Sequence, residues 1–115
     1  MKFVEKKHSV ERNNSKICVV TEYPTDHAHL DFAIVSISGK YPEIGYATNL
    51  ISSEIIYVQS GSGQVTVNGV TKRVCAGDVI LIEPNEQFIW AGDLQLHIAC
   101  HPAFSAGQHV VCQNV

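Results

Sequence analysis

The chain has 115 residues, 45% hydrophobic and 17% charged, a balance that excludes a disordered or fibrous protein. A formal charge of -3 with scattered basic residues offers no stripe for a phosphate backbone, so nucleic acid is not an expected partner. No stretch approaches the roughly 18 apolar residues of a membrane span, and the start lacks the apolar run of a signal peptide, so we expect a cytoplasmic protein with no membrane partner.

Short runs rich in Val, Ile, Tyr and Phe recur between Gly, Pro, Asn and Asp clusters, with almost no helical periodicity. This pattern predicts a single all-β domain over residues 1–115, a sandwich or a barrel. The polar residues 1–15 are predicted to form a flexible or dimer-swapped arm, and the last few residues are predicted to be similar. The predicted strands are 17–22, 30–36, 43–48, 54–59, 64–67, 71–75, 78–82, 87–90 and 94–100.

Two turns are predicted in the middle of the chain. The segment Ser60 to Gly63 carries glycines that tolerate positive φ, which favours a hairpin between strands 54–59 and 64–67. The dipeptide Asn68-Gly69 suits a type I′ turn and predicts a second hairpin. We therefore expect three successive antiparallel strands. The run 79–82, apolar at every position, predicts a strand packed between two layers.

Two short motifs lie in residues 41–92. Glu54 and Gly61 are separated by six residues, as at the end of the first cupin motif. Gly77 and the five residues after it lead into Glu83-Pro84-Asn85, similar to the second motif with Asn85 in place of its last glycine. The resemblance to the cupin superfamily implies a double-stranded β-helix, the cupin or jelly-roll barrel.

Cupin metal sites use a His-x-His pair and a Glu from the first motif and a His from the second. The resemblance implies that Thr48 and Leu50 stand at the two positions of the His-x-His pair, or Ala47 and Asn49 if the spacer before Glu54 is one residue longer. Phe88 stands at the position of the histidine from the second motif. Only Glu54 remains, and one carboxylate does not hold a transition metal with useful affinity. The resemblance therefore implies a degenerate site, with no metal and no other cofactor.

The same register predicts what faces the interior, because ligand positions and the residues two along each strand should point inward. We expect a small-molecule ligand to bind there, in an apolar cavity with an aromatic wall. A barrel whose interior is simply filled by Phe88 and Trp90 stays open as the alternative. The predicted ligand-binding residues are Thr48, Leu50, Glu54, Ile56, Phe88 and Trp90.

Glu54 is the one candidate catalytic residue, since a buried carboxylate is costly unless it is paired or used. Its carboxylate is predicted to accept a hydrogen bond from a ligand or to act as a base. The alternative is that it is hydrogen-bonded only to solvent or to a nearby hydroxyl group. The sequence thus favours a metal-free binding barrel acting as a sensor or carrier. The alternative is a small enzyme, either an isomerase or epimerase that uses Glu54 or a metal enzyme with relocated ligands.

Four histidines have the spacing of strand neighbours. The pair His27 and His29, and the pair His97 and His101, are candidates for a relocated metal site or for exposed side chains. The apolar set of the last predicted strand turns His97 and His101 outward. His109 lies in a terminal stretch and receives no predicted role.

Two further expectations concern cysteines and assembly. Cys18, Cys75 and Cys100 have apolar neighbours and are expected to behave as small hydrophobes. Ile55 and Tyr57 are predicted to point outward and to suit the face of a homodimer.

Overall fold

A computed structural model describes residues 1–113 of the chain, and they form mostly strands and turns. Short 3₁₀ turns lie at Lys6–His8 and Ala106–Gln108. No helix in this part of the chain is long and apolar enough to cross a membrane. The strands within it are β1 (Val10–Ser15), β2 (Cys18–Tyr23), β3 (Asp31–Tyr41), β4 (Tyr46–Asn49), β5 (Ser53–Val67), β6 (Val70–Cys75), β7 (Val79–Ile82), β8 (Phe88–His101) and β9 (His109–Cys112).

Strand β8 is the centre of one curled sheet. It pairs antiparallel with β3 on one side, from Asp31↔Cys100 to Tyr41↔Trp90. On the other side it pairs with β5 over nearly its whole length. Strands β2 and β1 extend the sheet beyond β3, β6 and β7 pair with β5, and β4 joins β9 to the start of β8. The result is a half-barrel of the cupin jelly-roll type that the motifs imply.

The hairpin predicted at Ser60 to Gly63 is wrong, because β5 continues through this segment without a turn. Its glycines allow two strands to approach closely instead. A Cβ atom at Gly61 would lie 1.9 Å from the carbonyl oxygen of Asp93, and one at Gly63 would lie 2.1 Å from that of Ala91. Residues 87–90 and 94–100 likewise form one strand, β8, that passes through Gly92.

The hairpin predicted at Asn68-Gly69 is confirmed. Both residues have positive φ, and Val67 pairs directly with Val70. A type I′ turn requires this left-handed backbone at both central positions, which Asn and Gly tolerate best. Strands β5 and β6 are therefore antiparallel neighbours, as expected.

Both ends of the described chain are more ordered than predicted. Strand β1 pairs with β2 from Val10↔Glu22 to Ser15↔Cys18, so residues 10–15 form an edge strand rather than a free arm. Strand β9 pairs with β4, which ties residues 109–112 to the barrel, while residues 114 and 115, to which the same expectation applied, lie outside the described part of the chain. Strand β1 lacks an alternating apolar pattern because its side chains are exposed or only half-buried, and its backbone ladder to β2 holds it in the sheet.

The hydrophobic core lies on the inner, concave face of the sheet. Strand β7 contributes one side only, since Val79 and Leu81 are 59% and 57% exposed while Ile82 is buried. The expectation that β7 packs between two layers is therefore wrong, because its outer face lacks a covering layer in the described part of the chain. The most deeply buried core residues include Cys18, Ala47, Ile56, Val58, Ile82 and Leu96.

Candidate functional site

A cavity of about 410 Å³ opens between β2, β3, β8 and the segment that precedes β9. Its volume lies within the range of small-molecule sites, which is roughly 300–1,000 Å³. Apolar side chains line the deep part and charged ones lie at the mouth. The lining includes Cys18, Val20, Val35, Ile37, Tyr41, Glu54, Phe88, Trp90, Leu96, Ile98, Cys100, Phe104 and His109, with Arg12, Glu22, Asp26, His27 and Asp31 among the polar groups.

The aromatic wall is built by the first residues of β8. Because alternate residues of a strand point to the same face, Phe88 and Trp90 lie together on the inner face of the sheet. They are 4% and 3% exposed, and both line the cavity. Trp90 is the only tryptophan of the chain. The interior is thus lined by these rings and still leaves room beside them.

Glu54 brings a carboxyl group to the same cavity from the start of β5. Burial raises its pKa from 4.5 to about 7, and the charge of Asp31 adds to this rise. Hydrogen bonds from the Cys100 thiol, with Sγ 3.7 Å from Oε2, and from the Asn49 side chain act in the opposite direction. Glu54 can therefore change its protonation state near neutral pH.

The buried thiols of the cavity are not activated. Burial raises the pKa of Cys18 to about 11, and burial together with Glu54 and Asp31 raises the pKa of Cys100 well above its usual range. Both sulfurs stay protonated, so Cys100 acts as a hydrogen-bond donor to Glu54 and not as a nucleophile. Cys75 is exposed, contrary to the expectation that it is a small core hydrophobe.

His109 lies at the centre of the cavity wall, although the sequence assigned it no role. Its Nε2 lies 2.6 Å from the Tyr41 hydroxyl, and its Nδ1 lies 2.8 Å from Oδ1 of Asn49. The rings of Tyr41, Phe88 and Phe104 surround it, with centroids 6.0, 6.3 and 6.1 Å away. Burial, with a contribution from Arg12, lowers the pKa of His109, so the imidazole is neutral at pH 7.

Gln108 holds His109 in place. Its buried Oε1 accepts hydrogen bonds from the backbone N–H groups of Ile51 and Ser52, at 3.1 and 2.6 Å. Its Nε2 donates to the hydroxyls of Ser52 and Ser105. The ladder from β4 to β9 then places Asn49 directly opposite His109. Only the pairing of β4 with β9 brings this histidine to the cavity, and neither strand has a pattern that predicts it.

The mouth of the cavity carries several acidic side chains, and the guanidinium of Arg12 there is already paired with Glu22. Arg12 Nε donates to Glu22 at 2.6 Å, and the guanidinium lies 5.4 Å from the centre of the Phe104 ring. Asp31 Oδ2 accepts the backbone N–H of Phe104 at 2.7 Å. These contacts fix the segment after β8 over the opening.

The structure places three of the six predicted ligand-binding residues in the cavity lining and the other three outside it. Glu54, Phe88 and Trp90 line the cavity. Ile56 is fully buried in the core beneath it, and Thr48 is buried with an Oγ1 that has no hydrogen-bond partner within residues 1–113. Leu50 is 47% exposed, so its predicted inward direction is wrong, because β4 ends at Asn49 and the alternation of the strand stops there.

The four strand-spaced histidines do not assemble a metal site. His101 Nδ1 lies 2.9 Å from the backbone oxygen of His29, and His27 accepts backbone N–H groups in its own loop. Across residues 1–113, no group of three or more His, Cys, Asp or Glu side chains is placed to hold an ion. The residues at the motif positions, Thr48, Leu50 and Phe88, carry no imidazole, carboxylate or thiol.

Comparisons with solved structures show the same fold. Pac13 from Streptomyces, described as a unique nucleoside dehydratase, is 21% identical, with a TM-score of 0.87 over 100% of this chain and 93% of its own. Variants of Pac13 have been solved with uridine. KdgF from Halomonas sp. is 14% identical, with a TM-score of 0.73 over 91% of this chain and 96% of its own. An RmlC-like cupin from Shewanella frigidimarina is 20% identical, with a TM-score of 0.71 over 88% and 90%.

Sequence comparisons give the family. No curated protein matches the chain. The profile of the AraC-like ligand binding domain matches residues 31–90, which include β3 to β7 and the start of β8 with Phe88 and Trp90. Because this match spans more than half of the 115 residues, the chain belongs to the family of AraC-like ligand binding domains.

Proposed function

We propose that the cavity binds a small, uncharged organic molecule that carries a ring and hydrogen-bonding groups, of about the size of a nucleoside. The observation that carries this proposal is one cavity of about 410 Å³ that combines buried aromatic rings with the Glu54 carboxyl and the Tyr41–His109 pair. Rings favour a flat apolar body, while the polar groups fix its orientation. The likeness of the whole chain to Pac13, which has been solved with uridine, supports a nucleoside-sized ligand.

The charges of the lining favour an uncharged ligand over an anionic one. Arg12, the cation at the mouth, is already paired with Glu22. Carboxyl groups of Asp26, Asp31 and Glu54 also line the cavity. A phosphate or carboxylate on the ligand would lie near these carboxyl groups and would find no unpaired cation in the lining. The free energy lost when the anion leaves water would therefore not be recovered.

Trp90 provides the test, since it is the sole tryptophan and lies in the cavity wall. Titration with uridine should change the Trp90 fluorescence in a saturable way, and uridine monophosphate should bind more weakly. Phe88→Leu should weaken uridine binding by about 2- to 13-fold, the value of one aromatic contact. Phe3→Leu makes the same substitution at an exposed site and should leave binding unchanged.

Two results would contradict the proposal. One is the absence of any saturable response to uridine in folded protein. The other is a uridine affinity that Phe88→Leu and Phe3→Leu leave equally unaffected, because the ligand would then bind outside this cavity. Equal affinity for uridine and its monophosphate would refute the argument from charge.

The second candidate function is an isomerase or epimerase in which Glu54 is the base. A carboxyl group with a pKa near 7 faces the same cavity as the Tyr41–His109 pair, so two proton-transfer groups share one space. The test is proton NMR in D₂O with D-xylose, D-glucose and uridine as probes. This function is supported if the wild type exchanges a carbon-bound proton of a probe for deuterium and Glu54→Gln does not. It is contradicted if the exchange persists in Glu54→Gln.

We also propose that the chain is a cytoplasmic homodimer without a nucleic-acid or membrane partner. On the outer face of the sheet, Ile55 pairs with Leu81 and Tyr57 pairs with Val79, and all four side chains are exposed. Such a face suits a second copy of the chain. Light scattering should give a dimer for the wild type and a monomer for Tyr57→Lys. A wild-type monomer at high concentration would contradict the proposal.

A further inference from the structure

A row of polar groups lies in one wall of the cavity and directly behind it. It passes from the Tyr41 hydroxyl to His109, 2.6 Å away, and from His109 to the Asn49 amide, 2.8 Å away. The Asn49 side chain also lowers the pKa of Glu54, and Glu54 accepts a hydrogen bond from the Cys100 thiol. Each hydrogen bond joins one donor to one acceptor. Once the role of one group is known, the donor and acceptor roles of its neighbours therefore follow.

Asn49 determines which groups donate and which accept these hydrogen bonds. The amide atom that lies 2.8 Å from Nδ1 of His109 is Oδ1, so the amide N–H groups point elsewhere, and this agrees with the lowering of the Glu54 pKa by the Asn49 side chain. The amide oxygen then faces Nδ1 of His109, and an amide oxygen only accepts hydrogen bonds. Nδ1 must therefore carry the hydrogen of the neutral imidazole. Nε2 is left with its lone pair.

The orientation of Tyr41 follows from this tautomer. Its hydroxyl can satisfy Nε2 only as a donor, and the phenol has a single hydrogen to give. That hydrogen points to His109 and is therefore not available to a ligand. The Tyr41 oxygen keeps lone-pair capacity on the cavity side, where the residue forms part of the lining.

We infer that Tyr41 is the cavity's acceptor for a hydroxyl or N–H group of the ligand, and that Asn49 and His109 are positioning residues that keep it an acceptor. This inference rests on the proposed function and names the ligand class more closely, as a ring-bearing molecule with a donor at this position. If Nε2 carried the hydrogen instead, Tyr41 would turn its own hydrogen into the cavity and select an acceptor.

The first test reads the tautomer of His109 directly by ¹⁵N NMR at pH 8, without a ligand. The expected signal has hydrogen on Nδ1 and none on Nε2. Asn49→Asp should keep this tautomer because a carboxylate also accepts from Nδ1, whereas Asn49→Leu should shift the population towards hydrogen on Nε2. Hydrogen on Nε2 in the wild type would overturn the inference.

The second test uses uridine and three analogues: 2′,3′-dideoxyuridine, which lacks two neighbouring donors, and 5′-deoxyuridine and 3-methyluridine, which lack one donor each. One analogue should bind about 2- to 13-fold more weakly than uridine, the value of one neutral hydrogen bond. That difference should disappear in Tyr41→Phe and Asn49→Leu but persist in Asn49→Asp. Tyr46→Phe makes the same change as Tyr41→Phe at a residue outside the cavity lining, so the difference should persist there as well.

The outcomes separate this inference from the proposed function. A difference among the analogues that persists unchanged in Tyr41→Phe overturns the role of Tyr41 while ligand binding stands. If uridine does not bind, the proposed function fails, and the ¹⁵N spectrum still decides whether Tyr41 is held as an acceptor. Should Asn49→Leu fail to fold, Tyr41→Phe and the wild-type spectrum carry both tests.

Discussion

Replacing Glu54 by Gln should change how the stability of the protein depends on pH. The folded protein holds the proton of Glu54 up to about pH 7, whereas an unburied Glu has its pKa near 4.5. Between these values the folded state binds one more proton than the unfolded state, so the free energy of unfolding falls as the pH rises. Glu54 therefore stabilises the fold most below pH 4.5, and this contribution is lost as the pH rises through 7.

The size of the effect follows from the shift in pKa. Each unit of pKa corresponds to about 1.4 kcal/mol, so ionisation of Glu54 destabilises the protein by about 3 kcal/mol above pH 7. Gln has a similar shape and stays neutral. The stability of Glu54→Gln relative to the wild type should therefore improve by about 3 kcal/mol between pH 4 and pH 8.

Urea denaturation followed by Trp90 fluorescence measures this directly, because the indole is buried in the folded state. The matched control is Glu83→Gln, which removes an exposed carboxyl group that accepts from Ser53. Its pH dependence should match that of the wild type. If Glu54→Gln and the wild type differ by the same free energy at every pH, Glu54 is not buried in the way described here, and the reasoning fails.

Two further predictions concern the barrel and its thiols. Gly63→Ala should lower the free energy of unfolding by about 3 kcal/mol or more in urea denaturation, because the new Cβ would lie 2.1 Å from a backbone oxygen. Gly107→Ala, with nothing within 4 Å of its Cβ, should change stability by less than about 0.5 kcal/mol, and equal losses would contradict the close strand approach. A thiol reagent should label exposed Cys75 quickly and reach Cys18 and Cys100 only on unfolding, so rapid labelling of Cys100 in folded protein would show that it is not buried.

The fold could be predicted largely from the sequence, but the glycines misled the strand assignment. Gly61 and Gly63 predict a turn, because glycine tolerates the positive φ that turns often need. In the barrel the same residues let β5 pass close to β8, at points where a side chain would collide with a backbone oxygen. A local pattern does not distinguish these two uses, since the close approach involves residues about 30 positions away.

The site was predictable only in part, for a similar reason. Glu54, Phe88 and Trp90 follow from strand alternation and reach the cavity. His109 and Tyr41 do not, because they meet only after β9 pairs with β4 and Gln108 fixes the loop before it.

The most direct test of the account locates bound uridine relative to Trp90. Intermolecular NOEs should connect the base of uridine to the indole protons of Trp90 and to the ring of Phe88, both in the cavity wall. Tyr57, on the outer face, should give none. NOEs to Tyr57 without any to Trp90 would place the ligand outside the barrel and contradict the central claim.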